Sequence, residues 1–316
     1  MREYGGYIEI DKYSLPMLHG DAIELNCGRN CLAYLIQSYS IKKIVLPYFL
    51  CDSVKNLCIR YDVEVRYYHI NDEFEPIDIS LFDDEWLYIV NYYGQLDKEK
   101  ILIFKEKYVR IILDNAQDYF QMPIKSIDTL YTCRKYFGVP DGAFLYTDSL
   151  IDEDLPLDES FDRMRFLFGR FERTASEFYS EYSANNRLFA SEPIKKMSRL
   201  TDNLLHAINY DYVKKQRTDN FNLYFDIFRN INKLNLCRVE GAFAYPLFVK
   251  NGFEIRDKLQ KLKIYIPMLW PNVMNDVEVD SLEYNMAKNI LPLPCDQRYV
   301  TNDIEHIIQE VIKCID

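Results

Sequence analysis

Short runs of β-branched and aromatic residues alternate with helical stretches through the first two-thirds of the chain. Ile44-Val45-Leu46, Val63 to Ile70, Trp86 to Asn91, Val109 to Leu113 and Ala143 to Thr147 read as strands. Several are apolar on both faces, the pattern of a mostly parallel sheet covered by helices on both sides. Asn30 to Tyr39 and Ser53 to Tyr61 read as helices between them. This rhythm predicts a doubly wound α/β domain. In the middle, Ile194, Met197, Leu200, Leu204, Ile208 and Tyr212 recur at three- and four-residue steps and predict one buried helical stripe. Phe221, Phe225, Phe228 and Ile231 predict a second, over Phe221 to Leu234. After Glu240-Gly241 the texture becomes strand (Phe243 to Val249), helix (Phe253 to Leu262) and strand (Ile264 to Trp270). A last helix from Asp303 to Cys314 follows the Pro-rich stretch Leu291 to Pro294. Residues 1–217 are therefore expected to form a large α/β domain that includes the helical middle, and residues 218–316 a smaller C-terminal α+β domain.

Composition narrows the function classes. The 316 residues carry 38 Lys and Arg against 49 Asp and Glu, a formal charge of −11, with no basic block. A nucleic-acid footprint is absent. No apolar run approaches the ~18 residues of a membrane helix, and the start MREYGGYIEID lacks the basic-then-apolar pattern of a secretory signal. Eight cysteines without a CxxC pair, and only four histidines, argue against a disulfide framework or a metal site. A reducing cytoplasm is the expected location. An acidic enzyme or small-molecule binder fits this composition.

Four segments carry candidate chemistry. Val109 to Gln117 is a buried strand run ending in Asp114, and a carboxylate there faces the crevice where open α/β sheets bind ligands. The same Asp could equally cap the following turn. Lys135 lies between two β-like runs, ahead of a turn containing Gly138, Pro140 and Gly142; alone it reads as a loop lysine. Gly28 precedes a helix, where free backbone N–H groups and the helix dipole favour a phosphate, although Asn30 near the cap suits an ordinary helix start as well. Asn91 to Gln95 is either a ligand-facing loop or a turn.

In order, Gly28-Arg29-Asn30, Pro47-Tyr-Phe-Leu-Cys51, Asn91-Tyr-Tyr-Gly-Gln95, Asp114-Asn-Ala-Gln117 and Lys135 to Asp141-Gly142 resemble the DegT/StrS-type family of sugar aminotransferases. These are fold-type I enzymes dependent on pyridoxal 5′-phosphate (PLP). Ser183-Ala-Asn185-Asn-Arg187 is similar to the family's G-x-N-x-R segment. Tyr245-Pro-Leu-Phe-Val and Ile264 to Pro271 are similar to its small-domain strands, and Leu293-Pro294 to its closing L-P. The resemblance covers the chain from about Asn26 onward.

The resemblance implies a fold-type I PLP-transferase in which Lys135 forms the Schiff base with PLP and shuttles the proton. Asp114 pairs with the pyridine nitrogen, and Gln117 hydrogen-bonds the ring's 3′ oxygen. Gly28, Arg29 and Asn30 hold the phosphate with the hydroxyl of Thr132, Thr129 being the reserve. Asn185 reaches the site of a partner subunit, which implies a homodimer. The implied reaction moves an amino group from a donor such as glutamate to a nucleotide-linked keto sugar, in the biosynthesis of polysaccharides or related amino sugars. Arg29, Arg187, Arg163 and Arg165 are candidates for the substrate's diphosphate. Three departures stand out. Arg29 replaces the usual Thr or Ser after the glycine. Cys51 falls where an aromatic ring commonly stacks on PLP, leaving Phe49 or Tyr48 for that role. The N-terminal arm is shorter than the family's. The other readings are a PLP enzyme acting on a non-sugar carbonyl and a PLP-binding protein with a regulatory or structural role.

Overall fold

The computed structural model describes residues 4–315. Strands β1 (Ile23–Leu25), β2 (Lys43–Pro47), β3 (Glu64–Tyr68), β4 (Glu85–Val90), β5 (Ile111–Asp114), β6 (Asp128–Thr132) and β7 (Ala143–Tyr146) form one sheet in the order β1-β7-β6-β5-β4-β2-β3. Strand β7 runs antiparallel to both its neighbours, and the remaining pairs are parallel. The crossovers are helices α1 (Gly28–Ser38), α2 (Asp52–Arg60) and α3 (Lys98–Tyr108). Every residue of β5 is buried, as is α1 from Asn30 to Ile36, so the expected two-sided cover of the sheet is present. Full burial of each large aliphatic side chain contributes about 1.5–3 kcal/mol. With this topology the C-terminal ends of β1, β5 and β6 lie on one edge of the sheet. The register places Leu25 and Thr132 on either side of Ala143, and Asp114 beside Leu130.

Helices α4 (Arg165–Glu172), α5 (Tyr179–Leu188), α6 (Arg199–Leu205) and α7 (Tyr210–Phe228) form the middle. The C-terminal part holds β8 (Ala244–Phe248), α8 (Gly252–Lys261), α9 (Val273–Asp276), α10 (Leu282–Asn289), β9 (Ile290–Pro294) and α11 (Thr301–Ile315). Strands β8 and β9 pair antiparallel, with Pro246 opposite Pro292. Prolines are tolerated because a two-stranded sheet leaves each strand one unpaired side.

Three sequence expectations need correction. The stripe from Ile194 to Tyr212 is not one helix. Ser198 caps α6 by accepting from the Thr201 N–H, and Asn209 caps α7 by accepting from the Tyr212 N–H, so two helix starts interrupt the periodicity. Ile264 to Trp270 forms no strand, because β8 pairs instead with the Pro-rich stretch now seen as β9. Val109 belongs to a turn, not a strand: it has φ 56° and is 67% exposed. The expected boundary at 217/218 falls inside α7. Tyr210 and Val213 pack with the aromatic cluster around Tyr119 and Phe137, whereas Phe221, Tyr224 and Phe228 pack on β8 and β9 residues.

Candidate active site

Asp114 ends β5 with both carboxylate oxygens held. Oδ1 accepts from the Ala116 N–H at 2.8 Å, and Oδ2 accepts from the Tyr88 hydroxyl at 2.8 Å. Tyr88 is fully buried on the adjacent β4, so the carboxylate is fixed by a rigid neighbour. Three residues on, Gln117 is 2% exposed, and its Oε1 accepts from the Tyr93 N–H at 2.8 Å. That bond sets the amide's orientation, and Nε2 is left without a partner among the described residues. Tyr93 itself has φ 53°, followed by Gly94 at φ 74°, so two consecutive left-handed residues aim this N–H. A non-glycine residue there costs about 1–3 kcal/mol and persists where the surroundings enforce it.

Lys135 stands after the end of β6. Water reaches its side chain, yet protein atoms crowd it on most sides, as at the floor of a cleft. Desolvation pushes its amine below the ordinary lysine pKa, while the charges of Asp114 and Cys51 oppose the shift. Its Nζ sits 5.5 Å from the centre of the Phe243 ring. The segment that carries it is anchored from α7. The fully buried Arg217 donates to Tyr136 O at 3.1 Å and to Ala242 O at 3.0 Å, and Gln297 Nε2 donates to Tyr136 O at 2.8 Å.

The start of α1 fits a phosphate. Its cap residue Cys27 makes no side-chain capping bond, and a Cβ on Gly28 would sit 3.9 Å from the Thr132 Cβ, so Thr132 flanks the helix start. Arg29 donates to Asn186 O at 3.4 Å, and Arg134 donates to the side chain of Asn186. Neither guanidinium pairs with a carboxylate among the described residues. Arg134 Nε is buried without a partner. Burial pushes the pKa of Arg134 down, and the nearby Arg29 charge adds to that. Two adjacent unpaired cations, an orphaned N–H and an uncapped helix start suit a dianion with several hydrogen-bond acceptors. Arg134 therefore turns away from Lys135, over the Phe189 ring at 4.9 Å.

Other expected residues lie elsewhere. Thr129 is buried, and its hydroxyl donates to Ile127 O, which removes the reserve for Thr132. Asn30 is fully buried, and its Nδ2 donates to Asn26 Oδ1 and Pro193 O, each at 2.7 Å, so it braces the helix start from behind. Asn185 Nδ2 donates to Pro140 O at 2.8 Å, which commits this amide within its own chain. Phe49 is buried against Trp270, and Tyr48 stacks on Tyr67; the ring found beside the Lys135 Nζ is that of Phe243. Arg163 pairs with the buried Asp158, and Arg165 lies near Glu181. Tyr88, Tyr93, Phe243 and Arg217 escaped the sequence reading as contributors. An alternation count along β4 would have placed Tyr88 and Val90 on one face, toward Asp114.

Behind Gln117, Asp118 lies in a buried amide cluster, with Asn91 Nδ2 donating to its Oδ2 at 3.2 Å. Burial raises its pKa from 3.8 to about 7, against the hydrogen bonds from the Gln121 backbone and Asn91 and the charge of Lys214. A carboxyl whose folded pKa is raised favours folding when protonated. Its contribution is fully present below pH ~4 and is lost as pH rises through about 7. Asp118→Asn should remove this dependence. Urea unfolding at pH 5 and pH 7.5 should show the variant gaining about 2 kcal/mol on the wild type between the two. An equal difference at both pH values would contradict the burial of an ionisable Asp118.

No family model matches the chain, and no curated protein does. Solved structures do. A DegT DnrJ EryC1 StrS aminotransferase from Brucella abortus shares 13% identity at a TM-score of 0.61, covering 93% of this chain and 86% of that one. The sugar aminotransferase CalS13 from Micromonospora echinospora shares 12% at 0.61, covering 92% and 87%. Ntda from Bacillus subtilis, with bound cofactor PMP, shares 12% at 0.66, covering 93% and 73%. The fold is that of the DegT DnrJ EryC1 StrS aminotransferases. Coverage of more than nine-tenths of this chain means that this fold accounts for the large sheet, the helical middle and the β8–β9 part together.

Proposed function

We propose that this protein is a PLP-dependent aminotransferase that moves an amino group from an amino acid such as glutamate to the carbonyl of a nucleotide-linked keto sugar. One observation carries the reading: Asp114 ends β5 with the unpartnered amide of Gln117 just after it, and Lys135 follows the end of the adjacent β6, whose Thr132 flanks the start of α1, on a fold shared with CalS13. When bound, the cofactor supplies an electron-withdrawing ring that stabilises negative charge on the carbon losing its proton. Asp114, braced by Tyr88 and the Ala116 N–H, keeps the ring nitrogen protonated by its own negative charge. Gln117 Nε2 donates to the ring's hydroxyl oxygen, its orientation fixed by the Tyr93 N–H. Gly28, Arg29, Thr132 and Arg134 hold the phosphate. Lys135 would hold the cofactor through Nζ and, when that amine is free, would move a proton at that atom. Burial lowers the pKa of the Lys135 amine, the direction this role requires.

We further infer a homodimer acting in the cytoplasm. Exposed aromatic rings on α4, with Phe168 59% and Phe171 92% exposed, suit burial against a second copy. The free cysteines suit a reducing compartment. No helix among the described residues is long and apolar enough to cross a membrane.

The test loads the protein with PLP, converts it with glutamate, and offers nucleotide-linked keto sugars or simple 2-oxo acids. Return of the visible absorbance with the sugars is the expected result. Return with 2-oxo acids only would make it a general aminotransferase. No reaction in protein that retains PLP would favour a non-catalytic role.

A further inference from the structure

A cleft of about 210 Å³ opens between the start of α2, the end of β3 and the short helix α9. Cys51 lines it just past the C-terminal end of β2, on the same edge of the sheet as Asp114 at the end of β5. Its volume lies below the ~300 Å³ lower end of pockets for drug-sized ligands, which leaves room for a single ring. Tyr48 and Tyr67 form one wall, their rings stacked at 5.0 Å and 20°, with neither hydroxyl engaged by the described residues. Opposite them, Asn272 Nδ2 donates to Leu50 O at 2.9 Å, which leaves Oδ1 open as an acceptor. Asp52 contributes a carboxylate without an ion-pair partner among the described residues, and Lys55 approaches Asp276 at 3.5 Å.

We propose that this cleft is the subsite for the acceptor's own sugar ring, and that it takes a neutral, hydroxyl-rich ring while rejecting phosphate. The choice of ligand rests on the aminotransferase reading; the chemistry rests on the cleft. Aromatic faces bury the C–H surface of a sugar, and the free phenols and the amide oxygen meet its hydroxyls. Hydroxyls donating to a carboxylate form the stronger, charge-assisted bonds. Two carboxylates face one ammonium, so the cleft is net negative. A phosphate placed there would meet like charge, which is strongly disfavoured at close range. The diphosphate of a nucleotide-linked acceptor therefore lies outside the cleft.

Saturation-transfer NMR on the full chain, without cofactor, tests this with the methyl glycosides of glucose, galactose and mannose, and with inorganic pyrophosphate as competitor. At least one glycoside should bind saturably in the millimolar range. Tyr67→Ala should raise its Kd at least tenfold. Tyr48→Phe and Asp52→Asn, which keep the cleft's shape, should each raise it about threefold, and a tenfold excess of pyrophosphate should leave binding unchanged. No saturable binding by any of the three, unchanged Kd in Tyr48→Phe and Asp52→Asn, or displacement by pyrophosphate would each overturn the proposal. Glycoside binding by a chain that fails to attach PLP would separate this subsite from the aminotransferase reading.

Discussion

Lys135→Ala is expected to lower turnover by at least about 10⁴-fold, the upper end of what a positioned proton-transfer group contributes. The loss combines two roles, covalent attachment of the cofactor and proton movement at Nζ, and Lys135 is the first lysine beyond Thr132 at the end of β6. Folding should not suffer. Lys135 makes no hydrogen bond or ion pair among the described residues, so its removal should leave the melting temperature of the cofactor-free protein close to that of the wild type. Steady-state rates with glutamate and a keto acceptor, alongside thermal melts, check both halves. Turnover within tenfold of wild type would remove Lys135 from the chemistry.

Asp114→Asn should retain PLP and slow turnover by about 10⁴-fold, the cost of a comparable carboxylate-to-amide exchange at an orienting position. The amide carries no charge, so a proton on the ring nitrogen loses its partner. The surroundings tolerate the exchange: one amide oxygen can still accept from the Ala116 N–H, and the Tyr88 hydroxyl can turn to accept from the new NH₂. Cofactor affinity should therefore change far less than rate. A variant as fast as wild type, with PLP bound, would mean that Asp114 is a turn cap and nothing more.

Asp114 was legible as a strand-end carboxylate, because an apolar run stops there; Lys135 alone read as a loop lysine, and the roles expected of both came from the family resemblance. The strand cores β2 to β5 and the helices α1 and α2 follow from period and burial alone. Side-chain aim was not legible. Thr129 and Thr132 look interchangeable by type, yet three residues along a strand put them on opposite faces, and only Thr132 flanks Gly28. Arg134 stands next to Lys135 in the sequence, but its guanidinium and that of Arg29 both meet Asn186 near the start of α1. That meeting is set by α5, which supplies Asn186, and no local pattern links residues so far apart. The helical stripe failed for the opposite reason, since spacing persisted across the caps Ser198 and Asn209 while the helix did not. Strand β1, three residues long, is too short for period to register.

The most direct measurement is borohydride reduction of the PLP-loaded protein, followed by peptide mapping. The label should lie on the peptide containing Lys135 and on no other lysine. A label elsewhere, or none in protein that holds PLP, would contradict the assignment of Lys135 as the cofactor's point of attachment.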